Sequence, residues 1–168
     1  MQQVTSFKPV AHSSAKILIL GSMPGVKSLD ARQYYAHPQN SFWKIMSLVT
    51  GFEPNSSYEK RLASLQESGI ALWDVLHSCV RKGSLDSAIE AGSIRANDFR
   101  SFFRQHPKIL LVCFNGHAAE ACYKRYVLPG LDHSSMRHVR LPSTSPANAS
   151  VSFEQKLAAW REALTQRP

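Results

Sequence analysis

Cysteine is scarce: Cys79, Cys113 and Cys122 are the only three in 168 residues. None forms a CxxC pair, and three thiolates alone cannot close a four-cysteine zinc or iron–sulfur site. Cys113 lies in an apolar run and reads as a small core residue. The seven histidines contain no HxH or HxxxH pair, so no metal and no other cofactor is expected. No apolar run approaches the roughly 20 residues that a membrane span needs. Residues 1–10 lack the charged-then-apolar layout of a signal peptide. The phosphate-loop and dinucleotide signatures, GxxxxGKS and GxGxxG, are missing, as are repeats, linkers and low-complexity tracts. The expectation is a soluble, cytoplasmic monomer with a single domain over residues 1–168 and no membrane partner.

Acidic residues are also few. Twelve Asp and Glu face 20 Lys and Arg, a formal net charge of +8. Such a surplus favours a polyanionic partner, because each neutralised phosphate releases condensed counterions. The basic residues thicken late in the chain, at Arg95, Arg100, Arg104, Lys108, Lys124, Arg125, Arg137 and Arg140, which predicts one positive face. Apolar residues make up 43% and charged residues 19%, enough apolar material for a packed core.

Four apolar runs read as strands: 16–20 (KILIL), 70–76 (IALWDVL), 109–114 (ILLVCF) and 136–141 (MRHVRL). The first and third are apolar throughout, as strands buried on both faces are. Helical spacing lies between and after them. Residues 40–49 carry an apolar stripe that Gly51 ends. Ser56 with Glu59 reads as a capping box, Asn97 as a helix cap, and Ser152 with Gln155 as a second capping box. Residues 117–126 form a further helix, and 78–93 a weakly patterned loop. The fold class is α/β, a three-layer α/β/α sandwich around a four-stranded parallel sheet.

In such sheets ligands bind beyond the carboxyl ends of the strands. The segments there are Gly21–Gly25 running on to Asn40, His77-Ser78, Asn115-Gly116-His117 and 142–146 (PSTSP). Taken alone, Gly21–Gly25 is an ordinary strand-exit turn. Together the four segments would build one pocket.

Residues 21–43 read GSMPGVKSLDARQYYAHPQNSFW. This resembles the first motif of the uracil-DNA glycosylase superfamily. It is closest to the hypoxanthine-DNA glycosylase branch and the mismatch-specific branch, which share a GxxPG turn and an AHPxNxFW segment. Phe114-Asn115-Gly116 resembles the superfamily's base-reading strand end, and 141–148 (LPSTSPAN) its final Pro-Ser loop. The chain departs from the uracil enzymes at two places. Met23 stands where they carry a water-handling Asp or Asn, and Leu141 where they carry an electrophilic His or Asn. Both departures resemble the hypoxanthine branch, in which the catalytic role falls to the position of Asn40.

The resemblance implies a three-layer glycosylase fold acting on double-stranded DNA that contains a deaminated base. The enzyme would flip the base from the stack and hydrolyse its N-glycosidic bond. Asn40 is the catalytic, water-positioning candidate, though an Asn before a helix is equally an ordinary cap. Tyr35 is the candidate for stacking on the base, with Tyr34 facing the core. Asn115 is the reader, since a side-chain amide offers both donor and acceptor. Gly21 and Met23 line the base site. Ser143, Thr144, Ser145, Arg137 and Arg140, near His138, are expected to grip phosphates. His37 is a possible accessory group, and Pro146 or Ala147 would fill the vacated stack. Open alternatives are a uracil or mismatch glycosylase of the same fold, a non-catalytic damaged-DNA-binding module, and a small nucleotide hydrolase.

Overall fold

The computed structural model describes residues 2–132 and 135–166. Its centre is a parallel sheet of β2 (Ile17–Gly21), β3 (Ile70–Asp74), β6 (Leu111–Asn115) and β7 (Arg137–Leu141), in the order β3-β2-β6-β7. Every residue of β2 and β3 is buried, the consequence of helices on both faces.

Side chains alternate across β2. Ile17 and Ile19 enter one core cluster, with α2 (Phe42–Thr50), α3 (Tyr58–Glu67) and α6 (Phe153–Thr165) through Phe42, Ile45, Leu65 and Trp160. Leu18 and Leu20 enter the other, with α4 (Phe99–Gln105) and α5 (His117–Tyr126) through Phe99, Phe102 and Tyr123. After β2 the chain turns to the first face, through the short α1 (Val26–Ala31) and then α2. After β6 it turns to the second face, into α5. The crevice between the ends of β2 and β6 is therefore a topological switch point.

The four expected parallel strands are present, and three further strands form a second sheet. β1 (Gln2–Thr5), β4 (Leu76–Arg81) and β5 (Arg95–Ala96) pair antiparallel, in the order β1-β4-β5. The run 70–76 is thus not one strand. It breaks at Val75, whose N–H donates to the Gly21 carbonyl at 2.8 Å, while that of Leu76 donates to the Ser22 carbonyl at 3.1 Å. The weakly patterned stretch 78–93 holds most of β4 and two short 3-10 turns. Hydropathy is continuous through this break, so pattern alone could not reveal the change of sheet.

Caps moved by one residue in two helices. Ser57, not Ser56, accepts from the Lys60 N–H at 3.3 Å. Asp98, not Asn97, accepts from the Ser101 N–H at 3.0 Å. Asn97 instead donates from Nδ2 to the Asp74 carbonyl at 2.8 Å, tying the second sheet's exit to the end of β3. Gly51 ends α2 at φ 88°, and Ser152 and Gln155 form the capping box of α6.

Candidate active site at the carboxyl edge of the parallel sheet

A cavity of about 310 Å³ opens at the switch point, lined by 21–25, Tyr35, Asn40, Asp74, Asn115 and 143–147 among others. The expected site residues Gly21, Met23, Tyr35, His37, Asn40, Asn115, Ser143, Thr144 and Ser145 all meet there. Met23 is buried in the turn that leaves β2, and Leu141 lies in the core.

Tyr35 is held by the core behind it. Its ring stacks on that of Phe42 at 4.0 Å between centroids, and Phe42 meets Trp160 edge-on at 6.0 Å. The backbone at Tyr35 is left-handed, φ 54°, an uncommon conformation for a bulky residue that marks a constrained site. Tyr34 faces the interior and donates its hydroxyl to the Lys8 carbonyl at 2.9 Å.

Asn40 closes a tight turn. Its N–H donates to the His37 carbonyl at 2.9 Å, and its Oδ1 accepts from the Phe42 N–H at 3.0 Å. The amide oxygen therefore caps the start of α2. Among the described residues nothing pairs with its Nδ2. His37 Nδ1 accepts from the Gln39 N–H at 3.1 Å, so the neutral ring carries its proton on Nε2.

Asn115 is locked in one orientation. Its Oδ1 accepts from the Thr144 backbone N–H at 2.9 Å, and its Nδ2 donates to Thr144 Oγ1 at 2.9 Å. A backbone N–H can only donate, so the amide cannot flip. One N–H of Nδ2 is left over. Thr144, 1% exposed, therefore clamps Asn115 through both its backbone and its hydroxyl. Gly116, at φ 97°, sits so close to Ser143 that an added Cβ would lie 3.0 Å from the serine Cβ, which draws the last loop onto the end of β6.

That loop is heavily tied. The Ser41 N–H donates to the Thr144 carbonyl at 3.1 Å and Trp160 Nε1 to the Pro142 carbonyl at 2.9 Å. Ser143 Oγ and Ser145 Oγ accept from the N–H groups of Ser145 and Ala147 at 3.2 Å each, and each hydroxyl keeps its own proton to donate outward. Pro146 and Ala147 lie exposed at the rim.

The expected arginines do not converge here. Arg137 opens β7, at the opposite edge of the sheet from the cavity. Arg140 lies nearer but binds His117 Nδ1 at 3.0 Å and approaches Glu120 at 3.4 Å. His138 packs beside Phe114 and Tyr123. The cation that lines the cavity is Lys27, which the late clustering of basic residues did not indicate.

Sequence reasoning also missed the carboxylates. His77 and Ser78 were expected after strand two, but they belong to β4, with His77 exposed. The group at the end of β3 is Asp74, 3% exposed and lining the cavity. Its Oδ2 is buried without a hydrogen-bond partner, and no described side chain or N–H bonds Oδ1. Burial raises its pKa from 3.8 to about 7, Asp86 adds to the rise, and Arg81 opposes it. The Tyr35 hydroxyl lies in the same corner, buried and with no hydrogen bond of good geometry. Burial raises its pKa, Asp74 raises it further, and the Asn115 amide offsets part of this. Gly21 separates the two groups. An added Cβ there would stand 2.6 Å from Asp74 Oδ1 and 3.3 Å from the Tyr35 hydroxyl.

The segment after β4 braces the 22–26 turn from outside. Ser22 Oγ donates to Asp86 Oδ1 at 2.6 Å, the Val26 N–H to Ser84 Oγ at 2.9 Å, and the buried Arg81 Nη2 to the Pro24 carbonyl. Ser84, Leu85 and Asp86 form the matching wall of the cavity, and Leu85 is exposed at its mouth. Among the described residues no group of three or more His, Cys, Asp or Glu is placed to hold a metal ion, and no helix is long and apolar enough to cross a membrane.

Known proteins agree with this architecture. A protein of Methanosarcina acetivorans named hypoxanthine DNA glycosylase is 38% identical over 147 residues, 87% of this chain and 89% of that protein. Another of the same name from Methanosarcina barkeri is 40% identical over 111 residues, 66% of this chain and 69% of its own. A solution NMR structure of a candidate uracil DNA glycosylase from Methanosarcina acetivorans superimposes with a TM-score of 0.79 at 35% identity, covering 96% of this chain and 99% of that one. The model of the uracil DNA glycosylase superfamily matches residues 8–166. That match takes in every strand that carries the pocket, and the chain belongs to the uracil DNA glycosylase superfamily.

Proposed function

We propose that this protein is a monofunctional DNA glycosylase that removes hypoxanthine from DNA by hydrolysis, working as a single domain and a monomer. The observation that carries the reading is the locked Asn115. With Oδ1 taken by the Thr144 N–H and one Nδ2 proton by Thr144 Oγ1, the amide has a single N–H left, beside the Tyr35 hydroxyl, to offer a ligand in the cavity. Hypoxanthine carries an O6 acceptor where adenine carries an amino donor. A fixed donor therefore accepts the deaminated base and meets adenine donor to donor, a mismatch that buried polar groups penalise heavily.

The remaining residues fit the same chemistry. Tyr35, backed by Phe42, is a rigid platform for a flipped base. Asn40 has its oxygen committed to the helix start, which leaves Nδ2 to hold a water by its oxygen. Such a group orients the water without taking its proton. That suffices where the sugar becomes oxocarbenium-like before the water bonds. Ser143 and Ser145 can donate hydroxyl protons, and Lys27 a charge, to the phosphates of the flipped strand.

The test uses duplex oligonucleotides carrying one hypoxanthine, one uracil or neither, incubated with the protein in EDTA and then treated with hot alkali. Alkali-sensitive breaks at hypoxanthine, lost in Asn40→Ala while its thermal unfolding stays cooperative, are the expected result. Uracil offers the same carbonyl to Asn115, and breaks at uracil alone would reassign the substrate. Tight, salt-sensitive binding with no break in any duplex would overturn the enzymatic reading.

A further inference from the structure

We propose that Asp74 is the general acid of this site, donating the proton that lets a purine base leave. The inference rests on the reading of the site as a hypoxanthine glycosylase. Asp74 lines the cavity at the end of β3, is almost wholly buried, and receives no hydrogen bond from any described group at either carboxyl oxygen. A buried carboxylate with no bonds is among the costliest groups a protein can hold. Arg81, the cation that could have neutralised it, spends its bonded nitrogen on the Pro24 carbonyl. The economical state is a neutral carboxyl, consistent with a pKa raised to about 7. A neutral carboxyl facing a ligand cavity has a proton to give, and a general acid works best with a pKa near the working pH.

The chemistry of the leaving group calls for such a proton. When the bond between C1′ of the sugar and N9 breaks, its electron pair goes to the purine. Transfer of the Asp74 proton to a ring nitrogen such as N7 lets hypoxanthine leave as a neutral molecule. The water held near Asn40 adds its oxygen to C1′ and loses one proton. That proton restores Asp74 directly or through solvent, so atoms and charge balance. Gly21 is what permits the approach: the carboxyl packs where any side chain at this position would stand. The Tyr35 hydroxyl in the same corner keeps its proton, because burial and Asp74 both raise its pKa.

Asp74→Asn separates proton donation from shape. The amide keeps a donor group and an acceptor oxygen, as a neutral carboxyl does, with one N–H more, but has no acidic proton to transfer. Single-turnover excision would be measured for both proteins between pH 5.5 and 9 on duplexes containing hypoxanthine, and on duplexes containing 7-methylhypoxanthine. The second base already carries the positive charge that protonation would supply. The wild type should lose hypoxanthine excision as pH rises past about 7. The variant should be slower by roughly 100-fold or more at pH 6.5, with that limb gone, and should recover most of its rate on 7-methylhypoxanthine. Excision of hypoxanthine by Asp74→Asn at the wild-type rate would overturn the proposal. So would equal losses on both bases, which would mark Asp74 as a positioning residue. A wild type inert on both substrates would instead overturn the hypoxanthine reading, and this inference with it.

Discussion

On one side of the cavity Tyr35 rests on Phe42, Phe42 on Trp160, and Trp160 reaches the last loop through Pro142. On the other side Asp74, Arg81 and Asp86 are packed behind the turn 22–26, and Asp74 Oδ2, Arg81 Nε and Arg81 Nη1 are buried without partners. The first wall is a continuation of the hydrophobic core, in which Trp160 Nε1 is paired with the Pro142 carbonyl and the Tyr35 hydroxyl is buried without a partner. The second is polar and incompletely paired. Rigid positioning is cheap to build from aromatic packing. Reactivity needs groups left unsatisfied until a ligand arrives, and those weaken the fold that carries them. The protein keeps the two tasks on separate elements, joined at Gly21.

Gly21 is therefore the residue whose replacement disturbs both walls at once. Gly21→Ala drives a methyl group to within 2.6 Å of Asp74 Oδ1 and 3.3 Å of the Tyr35 hydroxyl, so both walls must shift. We expect destabilisation of about 1–3 kcal/mol and loss of excision, read by thermal unfolding and the alkali assay. Thr144→Val is next. It keeps the shape of the side chain but removes the acceptor for Asn115 Nδ2, at a cost of about 1–2 kcal/mol. Because the Thr144 backbone N–H still holds Oδ1, the amide should keep its orientation and its discrimination against adenine, measured as the ratio of hypoxanthine to adenine excision.

The acidic wall also has a signature in pH. The folded Asp74 holds its proton up to about pH 7, whereas the unfolded chain releases it near 3.8. The stability linked to the neutral carboxyl is complete below about 3.8 and disappears as pH rises through about 7. Asp74→Asn should therefore raise the melting temperature more at pH 8 than at pH 5. Equal shifts at both would show that Asp74 is solvated or paired in solution. The smallest effects concern DNA affinity. Lys27→Ala should lower the slope of log affinity against log salt by about one. Arg137→Ala, at the far edge of the sheet, should leave the slope unchanged.

Much of the aromatic wall was legible in the sequence because its residues are neighbours in the chain. Tyr35, His37 and Asn40 lie within one segment, and helical spacing from Phe42 onward announces the core that backs them. Asn115 was legible because it ends a continuously apolar strand. The acidic wall was not legible, because Asp74 sits inside the apolar run 70–76 and reads as part of a strand. Its partners Arg81 and Asp86 belong to a stretch whose hydropathy has no clear period. Arg137 was misplaced for a related reason: closeness in sequence to the last loop hides the length of the strand between them.

The α/β class, the four parallel strands and the segments that meet beyond their ends are all encoded in local stretches of the chain. These follow from local hydropathy, which sets the strand and helix periods and with them the side of the sheet where loops gather. The tertiary structure alone decided which groups in those segments are paired and which are left free. Thr144 fixes the Asn115 amide from 29 residues away, and Asp74 Oδ2 is buried without a hydrogen-bond partner while Arg81 Nη2 donates to the Pro24 carbonyl. Pairing depends on distance and desolvation in three dimensions, and no local pattern encodes either.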